Sequence, residues 1–125
     1  AVLATAGNSE CHLVLRGGSR TGPNFSAEAI GGAVGLLRQA GALPVVLVDC
    51  SHGNSGKQPE RQVQVAADLS AQVAGGSRAI IGCMLESNLE AGCQPLEPGR
   101  PLAYGRSITD ACLGFAETLP LLEQL

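Results

Sequence analysis

The chain is nearly empty of aromatic side chains, with no Trp, one Tyr and two Phe among 125 residues. Its core must therefore be assembled from Val, Ile, Leu and Ala, and an apolar share of 45% is enough to build one. Charge is sparse too, with 8 Lys and Arg against 11 Asp and Glu and a net charge of −3. That balance leaves no basic footprint, and no Lys/Arg cluster is interleaved with aromatics, so nucleic acid is excluded as the expected partner. No apolar run approaches the roughly 20 residues a membrane helix needs. The N-terminus also lacks the charged-then-apolar pattern of a signal segment. No membrane partner is expected. The first residue is Ala rather than Met, and the chain reads as a processed piece.

Five cysteines occur, Cys11, Cys50, Cys83, Cys93 and Cys112, an odd number with no CxxC pair. Neither a disulfide framework nor a Cys-rich zinc site fits that pattern. Most of them lie in or beside apolar runs, where reduced Cys acts as a small hydrophobe. The expected compartment is a reducing cytoplasm. Residues 1–125 have room for one small domain. The Gly and Pro residues are scattered between apolar runs rather than massed in a linker, which argues against disorder.

Three segments read as strands covered on both faces: Cys11 to Arg16, Pro44 to His52 and Ala79 to Glu86. Each is a short, nearly continuous apolar run rich in β-branched residues. Ala1 to Thr5, before the Gly7-Asn8 turn signal, reads as a short extra strand. Ser26 to Ala40 reads as a helix, with Ser26 as N-cap, Glu28 in the first turn, Gly41 past the end, and Ile30, Val34 and Leu37 at helical spacing. A second helix is predicted from Pro59 to Ala74, stopped by Gly75-Gly76, with an apolar stripe of Val63, Ala66, Ala67, Leu69 and Val73. A last helix is predicted over Thr118 to Leu125, with Pro120 in its first turn. Strands alternating with helices argue for an α/β fold of βαβ units around a parallel sheet. The connection from Ser87 to Ser107 has little periodicity, and loops of that length are usually functional or disordered.

Each strand ends in residues an apolar sheet would not choose: Arg16, then Asp49-Cys50-Ser51-His52, then Glu86. Counting by two, His12, Val14 and Arg16 share one face, as do Val46, Val48, Cys50 and His52, and likewise Ile80, Gly82, Met84 and Glu86. In a parallel sheet Arg16, His52 and Glu86 then converge at the C-terminal rim, where α/β sheets and (β/α)8 barrels build their sites. His52 and Glu86 offer nitrogen and oxygen donors suited to a divalent first-row metal, and Asp110 is placed to fold back as a third. Arg16, followed by Gly17-Gly18, suits an anion, because its planar fork matches phosphate and carboxylate and the glycines allow close backbone approach.

Plainer roles compete for the same residues. A His at a strand end is more often a hydrogen-bonding rim residue than a ligand. Arg16 serves equally well as the partner of a nearby carboxylate, and Asp110 as a helix or turn cap. Gly17-Gly18 suits any turn. His12 reads as structural. Asp49 points opposite His52 in phase, toward a neighbouring strand or loop. Lys57 and Arg106 are loop cations within possible reach of a phosphate, with solvated surface as their default.

The strings HLVLRGG (12–18), PNFSAEAI (23–30), VDCSHGNSGKQ (48–58), GGSRAIIGCMLES (75–87) and PLAYGRSITDACLGF (101–115) resemble the C-terminal part of class I 3-deoxy-D-arabino-heptulosonate 7-phosphate (DAHP) synthases, in order and over nearly the whole chain. The resemblance implies a (β/α)8 TIM barrel with a divalent metal (Mn, Fe, Co or Zn) at its mouth, the three strands here being the sixth to eighth. It implies a transferase of the shikimate pathway of aromatic amino-acid biosynthesis, an aldol-type condensation of phosphoenolpyruvate with erythrose 4-phosphate. By motif, His52, Glu86 and Asp110 fall on three of the family's metal ligands, and Arg16 on an arginine that grips phosphoenolpyruvate. The resemblance places His52 and Arg16 in catalysis and Arg16, His52 and Asp110 at the substrates. The family's fourth ligand, a Cys at the end of the first strand, has no counterpart among the five cysteines, and the KPRT-type phosphate loop is missing as well. The amino-acid feedback site draws chiefly on the same missing portion. The expected object is a single partial domain, 1–125, inactive alone and dependent on the rest of the barrel or on self-association. The competing expectation is a non-catalytic half-barrel that oligomerises and binds a divalent metal or phosphate ligand.

Overall fold

The computed structural model describes residues 1–125. Three short strands, β1 (Leu13–Leu15), β2 (Val46–Asp49) and β3 (Ile80–Met84), pair in parallel in that order. The register sets Leu15 against Val48 and Val48 against Cys83. Parallel neighbours need crossovers. These are α1 (Ala27–Gln39) between β1 and β2, and the one-turn α2 (His52–Ser55) with the longer α3 (Arg61–Ala74) between β2 and β3.

Local chemistry explains the helix ends. Ser26 Oγ accepts the Ala29 N–H at 3.2 Å, satisfying one of the orphan donors of α1. Gly41 takes φ +67° just past the C-terminus, a conformation a β-carbon disfavours. In α3 the buried positions are Gln62, Val65, Ala66 and Leu69, a single face at helical spacing. Val63 and Val73, expected in that stripe, are 38% and 45% exposed, and Ala67 is exposed as well. The stripe is rotated from the purely apolar count because a polar residue, Gln62, occupies one of its positions.

Val46 and Val48 of the central strand, with Cys50 just past its end, are 0% exposed and pack with Ile30 and Val34 of α1 and with Val65 and Leu69 of α3. Burying each such aliphatic side chain contributes about 1.5–3 kcal/mol, so β2 is the spine of the fold. The period-two count puts Val46, Val48 and Cys50 on the face of Arg16 and Glu86. The register corrects this, because Val48 aligns with Leu15 and Cys83 on the helix-covered face. The opposite face, carrying Val14 and Met84, is open. The outer edges of β1 and β3 pair with no other strand.

Other expectations change at the chain ends. Ala1–Thr5 forms no strand and is exposed, because nothing lies alongside it to pair. His12 is exposed just ahead of β1. The Ser87–Ser107 connection is not structureless. Its first residues form β4 (Ser87–Asn88), parallel to β5 (Leu113–Gly114), and single bridges join Gly92 to Cys112 and Cys93 to Ser107. The Gln94 side chain ties it further, accepting from Ala103 N and donating to the carbonyls of Ala103 and Arg106. The last helix, α4 (Phe115–Gln124), starts three residues before Thr118, because Gly114 N–H donates to Glu117 Oε2 at 2.8 Å and caps it there. Pro120 therefore lies in its second turn.

Candidate metal and anion site

At the C-terminal end of β2 the chain turns sharply rather than continuing as a strand. Asp49 is the last strand residue, and its Oδ1 accepts both the N–H of Ser51 (2.8 Å) and the Ser51 hydroxyl (2.6 Å). His52 follows with φ +45°, in the left-handed region that few non-glycine residues occupy. The turn swings its ring back, so that Nδ1 lies 2.7 Å from Asp49 Oδ2 and 2.7 Å from Ser51 Oγ. Asp49 therefore does not point away from His52, as strand phase alone implies. A carboxylate only accepts, so in the neutral imidazole Nδ1 donates to Asp49 and the lone pair lies on Nε2, on the side of Glu86. Asp49 is 2% exposed, so this carboxylate has no other role in solvent.

Nε2 of His52 stands 3.5 Å from Glu86 Oε1. Glu86 lies two residues beyond β3, and Gln62 of α3 holds its main chain: Gln62 Nε2 donates to Glu86 O (3.2 Å), and Glu86 N–H donates to Gln62 Oε1 (2.7 Å). The tail brings in Asp110. One donor atom each from His52, Glu86 and Asp110 all lie within 4.8 Å of one another. Two donors that share an ion at about 2.1 Å each sit roughly 3.4 Å apart. The His52–Glu86 spacing fits that, and one imidazole with two carboxylates suits a borderline divalent cation.

Beside this cluster lies a cleft of ≈ 540 Å³ lined only by polar residues and glycines, among them Arg16, Gly17, Gly18, His52 and Lys57. Its floor is a close backbone contact. Gly53 N–H donates to Arg16 O at 3.0 Å, and a β-carbon on Gly17 would lie 2.7 Å from the Gly53 carbonyl carbon. Gly17 also takes φ +66°, so both space and conformation require glycine there. The buried amide of Asn54 donates to the carbonyls of Leu15 (3.1 Å) and Asp49 (2.8 Å) and accepts from Asn24 N, locking the ends of β1 and β2 together. Asn24 in turn accepts the Gly17 N–H.

The structure thus brings Arg16, His52, Glu86 and Asp110 to one end of the sheet. Lys57 joins the cleft to the cluster, lining the former and pairing with Asp110 at 3.2 Å. Arg106 is exposed and does not line the cleft. Asp49, Asn54 and Gln62 were not legible as site residues. Gln62 had a signal, as an amide in phase with Val65, Ala66 and Leu69 at the start of the helix. Asn54 had a weaker one, as a polar residue inside a glycine-flanked turn.

No helix of the chain is long and apolar enough to cross a membrane, and all five cysteines are unpaired. The chain is similar to several known proteins. The phospho-2-dehydro-3-deoxyheptonate aldolase, Phe-sensitive, of Escherichia coli K12 is 50% identical over 125 residues, covering 100% of this chain and 35% of that protein. The phospho-2-dehydro-3-deoxyheptonate aldolase of Haemophilus influenzae is 46% identical, with 100% and 34% covered. The solved structure of the phospho-2-dehydro-3-deoxyheptonate aldolase from Francisella tularensis SCHU S4 superimposes with a TM-score of 0.90 at 45% identity, over 99% of this chain and 36% of that one. The chain therefore spans about a third of the length of the relatives it matches. The family model of the DAHP synthetase I family matches residues 1–122, and with that match the chain belongs to the DAHP synthetase I family.

Proposed function

We propose that this chain is the part of a DAHP synthase that holds a divalent metal and the phosphoenolpyruvate phosphate, and that it works with the rest of a (β/α)8 barrel in condensing phosphoenolpyruvate with erythrose 4-phosphate. In this reading 1–125 is one partial domain and β1, β2 and β3 are the barrel's sixth, seventh and eighth strands. The observation that carries it is the approach of His52, Glu86 and Asp110 to within 4.8 Å beside the cleft of Arg16 and Lys57. The unpaired edges of β1 and β3 and the open sheet face support a barrel remainder as the partner, since barrels exist to abolish edges. Free cysteines throughout are compatible with a cytoplasmic home.

In this reading His52 Nε2 and the carboxylates of Glu86 and Asp110 hold the metal. When bound, the metal supplies Lewis acidity toward a carbonyl oxygen, here that of the aldehyde substrate. Asp49 accepts from Nδ1, so in the neutral imidazole the lone pair lies on Nε2. Arg16 grips the phosphate through its planar fork, and the Gly17-Gly18 main chain allows the anion to approach closely. Lys57 adds a second positive charge at the boundary between phosphate and metal. Together they contribute chiefly by positioning the two reactants.

The test is a divalent-metal titration of the wild-type chain beside His52→Ala and Glu86→Ala. Affinity falls in both variants if the reading is right. Equal affinity in all three removes the site.

A further inference from the structure

Gln62 combines three observations that core packing does not require. It is 0% exposed, yet it carries an amide into the apolar face of α3 among Val65, Ala66 and Leu69. Both ends of that amide are used, Nε2 donating to the carbonyl of Glu86 and Oε1 accepting its N–H, at 3.2 and 2.7 Å. The residue so gripped is not in a regular strand, since β3 ends at Met84 and Glu86 lies beyond it. The last ladder bond along this edge runs from Cys50 N to Met84 O, and beyond it Gln62 alone takes the Glu86 N–H, while the Glu86 carbonyl is shared between Gln62 Nε2 and the N–H of Leu113 at 3.0 Å.

Gln62 and His52 also belong to one short stretch of chain. His52 opens α2, and Gln62 sits in the first turn of α3, so the connection between them spans the distance from one proposed ligand to the holder of the other. That connection is stiff: Lys57 N–H donates to His52 O at 2.8 Å, Arg61 N–H to Gln58 O at 3.0 Å, and Gln62 N–H to Pro59 O at 3.0 Å. His52 and Glu86 are therefore both referred to Gln62, and loosening its grip on Glu86 would change the 3.5 Å separation of His52 Nε2 and Glu86 Oε1.

We propose that Gln62 is a positioning residue of the metal site: by gripping the main chain of Glu86 at both its N–H and its carbonyl, it sets the distance between the Glu86 carboxylate and the His52 imidazole and thereby the affinity for a divalent cation. This rests on the function proposed above and adds to it a residue that touches neither metal nor substrate. Outer groups that orient ligands typically govern affinity by 10–100-fold, and Gln62 belongs among them although it acts through the backbone.

The experiment follows Co(II) binding to the 125-residue chain by its visible absorption band, alongside urea unfolding. Gln62→Met keeps the side-chain length and removes both hydrogen bonds, and Leu69→Ala serves as a core variant on the same helix face. The expected result is Co(II) binding about 10–100-fold weaker, with a shifted band, in Gln62→Met. Leu69→Ala is expected to lower the unfolding midpoint while leaving affinity and band unchanged. Should Gln62→Met lose its cooperative unfolding transition, Gln62→Glu takes its place. It retains an acceptor for the Glu86 N–H and is expected to show a smaller loss of affinity. A wild-type affinity and band in the folded Gln62 variant, or an equal loss in Leu69→Ala, overturns the inference. A wild-type chain without a His52-dependent band overturns the proposed function and takes the inference with it. The two failures are thus told apart.

Discussion

The carboxylate of Asp49 lies 2.7 Å from Nδ1 of His52, and this contact exists only because the chain leaves the strand between them and turns through a left-handed residue. It fixes both the tautomer and the direction of the ring. Asp49→Asn replaces an obligate acceptor with a group that also donates, and the imidazole loses its anchor. Divalent-metal affinity is expected to fall about 10–100-fold with little change in fold. A titration with Co(II) or Zn(II) checks this, and affinity within a factor of two of wild type would refute it.

Lys57 faces two ways, toward the cleft and toward Asp110. Lys57→Met is therefore expected to change two affinities in opposite directions. Inorganic phosphate binds more weakly for want of a charge, and Co(II) binds several-fold more tightly because Asp110 is released from its ammonium partner. Parallel titrations read both, and metal binding that weakens along with phosphate counts against the arrangement.

Arg16→Lys keeps the charge of Arg16 but loses the planar fork. Phosphate binding is expected to weaken by about tenfold or more, and Arg16→Ala to weaken it further. Isothermal titration with phosphoenolpyruvate measures the series. Full retention in the lysine variant would show that charge alone suffices.

Gly17→Ala meets two obstacles, φ +66° and a β-carbon 2.7 Å from the Gly53 carbonyl carbon. The variant is expected to lose about 1–3 kcal/mol in urea unfolding, because the two backbone segments must separate. Loss of phosphate binding is expected to accompany it, since the same contact forms the floor of the cleft.

The Cys50 thiol is pushed well above its ordinary value of 9.0 by a hydrogen bond with Cys83 and by burial. A thiol whose folded pKa exceeds its unfolded one contributes stability that is complete below pH 9.0 and is lost as pH rises through the folded value. The same hydrogen bond lowers the Cys83 thiol to about 7, which adds stability as pH rises from 7 toward 9.0, so wild-type unfolding midpoints are expected to rise over that interval and fall above it, a rise that Cys50→Val lacks. Equal slopes would show that the pair does not couple to folding.

The sheet was legible from the chain because Val46, Val48 and their neighbours announce buried strands directly. Arg16 and Glu86 were legible as polar residues at strand ends. His52 is legible too, but as part of a strand that in fact ends at Asp49, and the same strand phase places Asp49 on the wrong side. Such a turn depends on hydrogen bonds from Ser51 and on a single φ angle, neither of which periodicity records. Gln62 was missed because its role depends on where α3 docks. Asp110 was legible mainly through resemblance, for its approach depends on pairs of two-residue strands too short to show a pattern.

The two halves of the site also differ in how firmly they are tethered. His52 follows the most deeply packed strand, and Glu86 is gripped by α3, so breaking either loose means disturbing the core. Asp110 sits on a tail joined to the body near the site by β4, β5 and a few bridges. Segments with few buried contacts open at a small fraction of the global unfolding cost. In the proposed site, exchange of the third donor with solvent is thus expected to precede opening of the sheet.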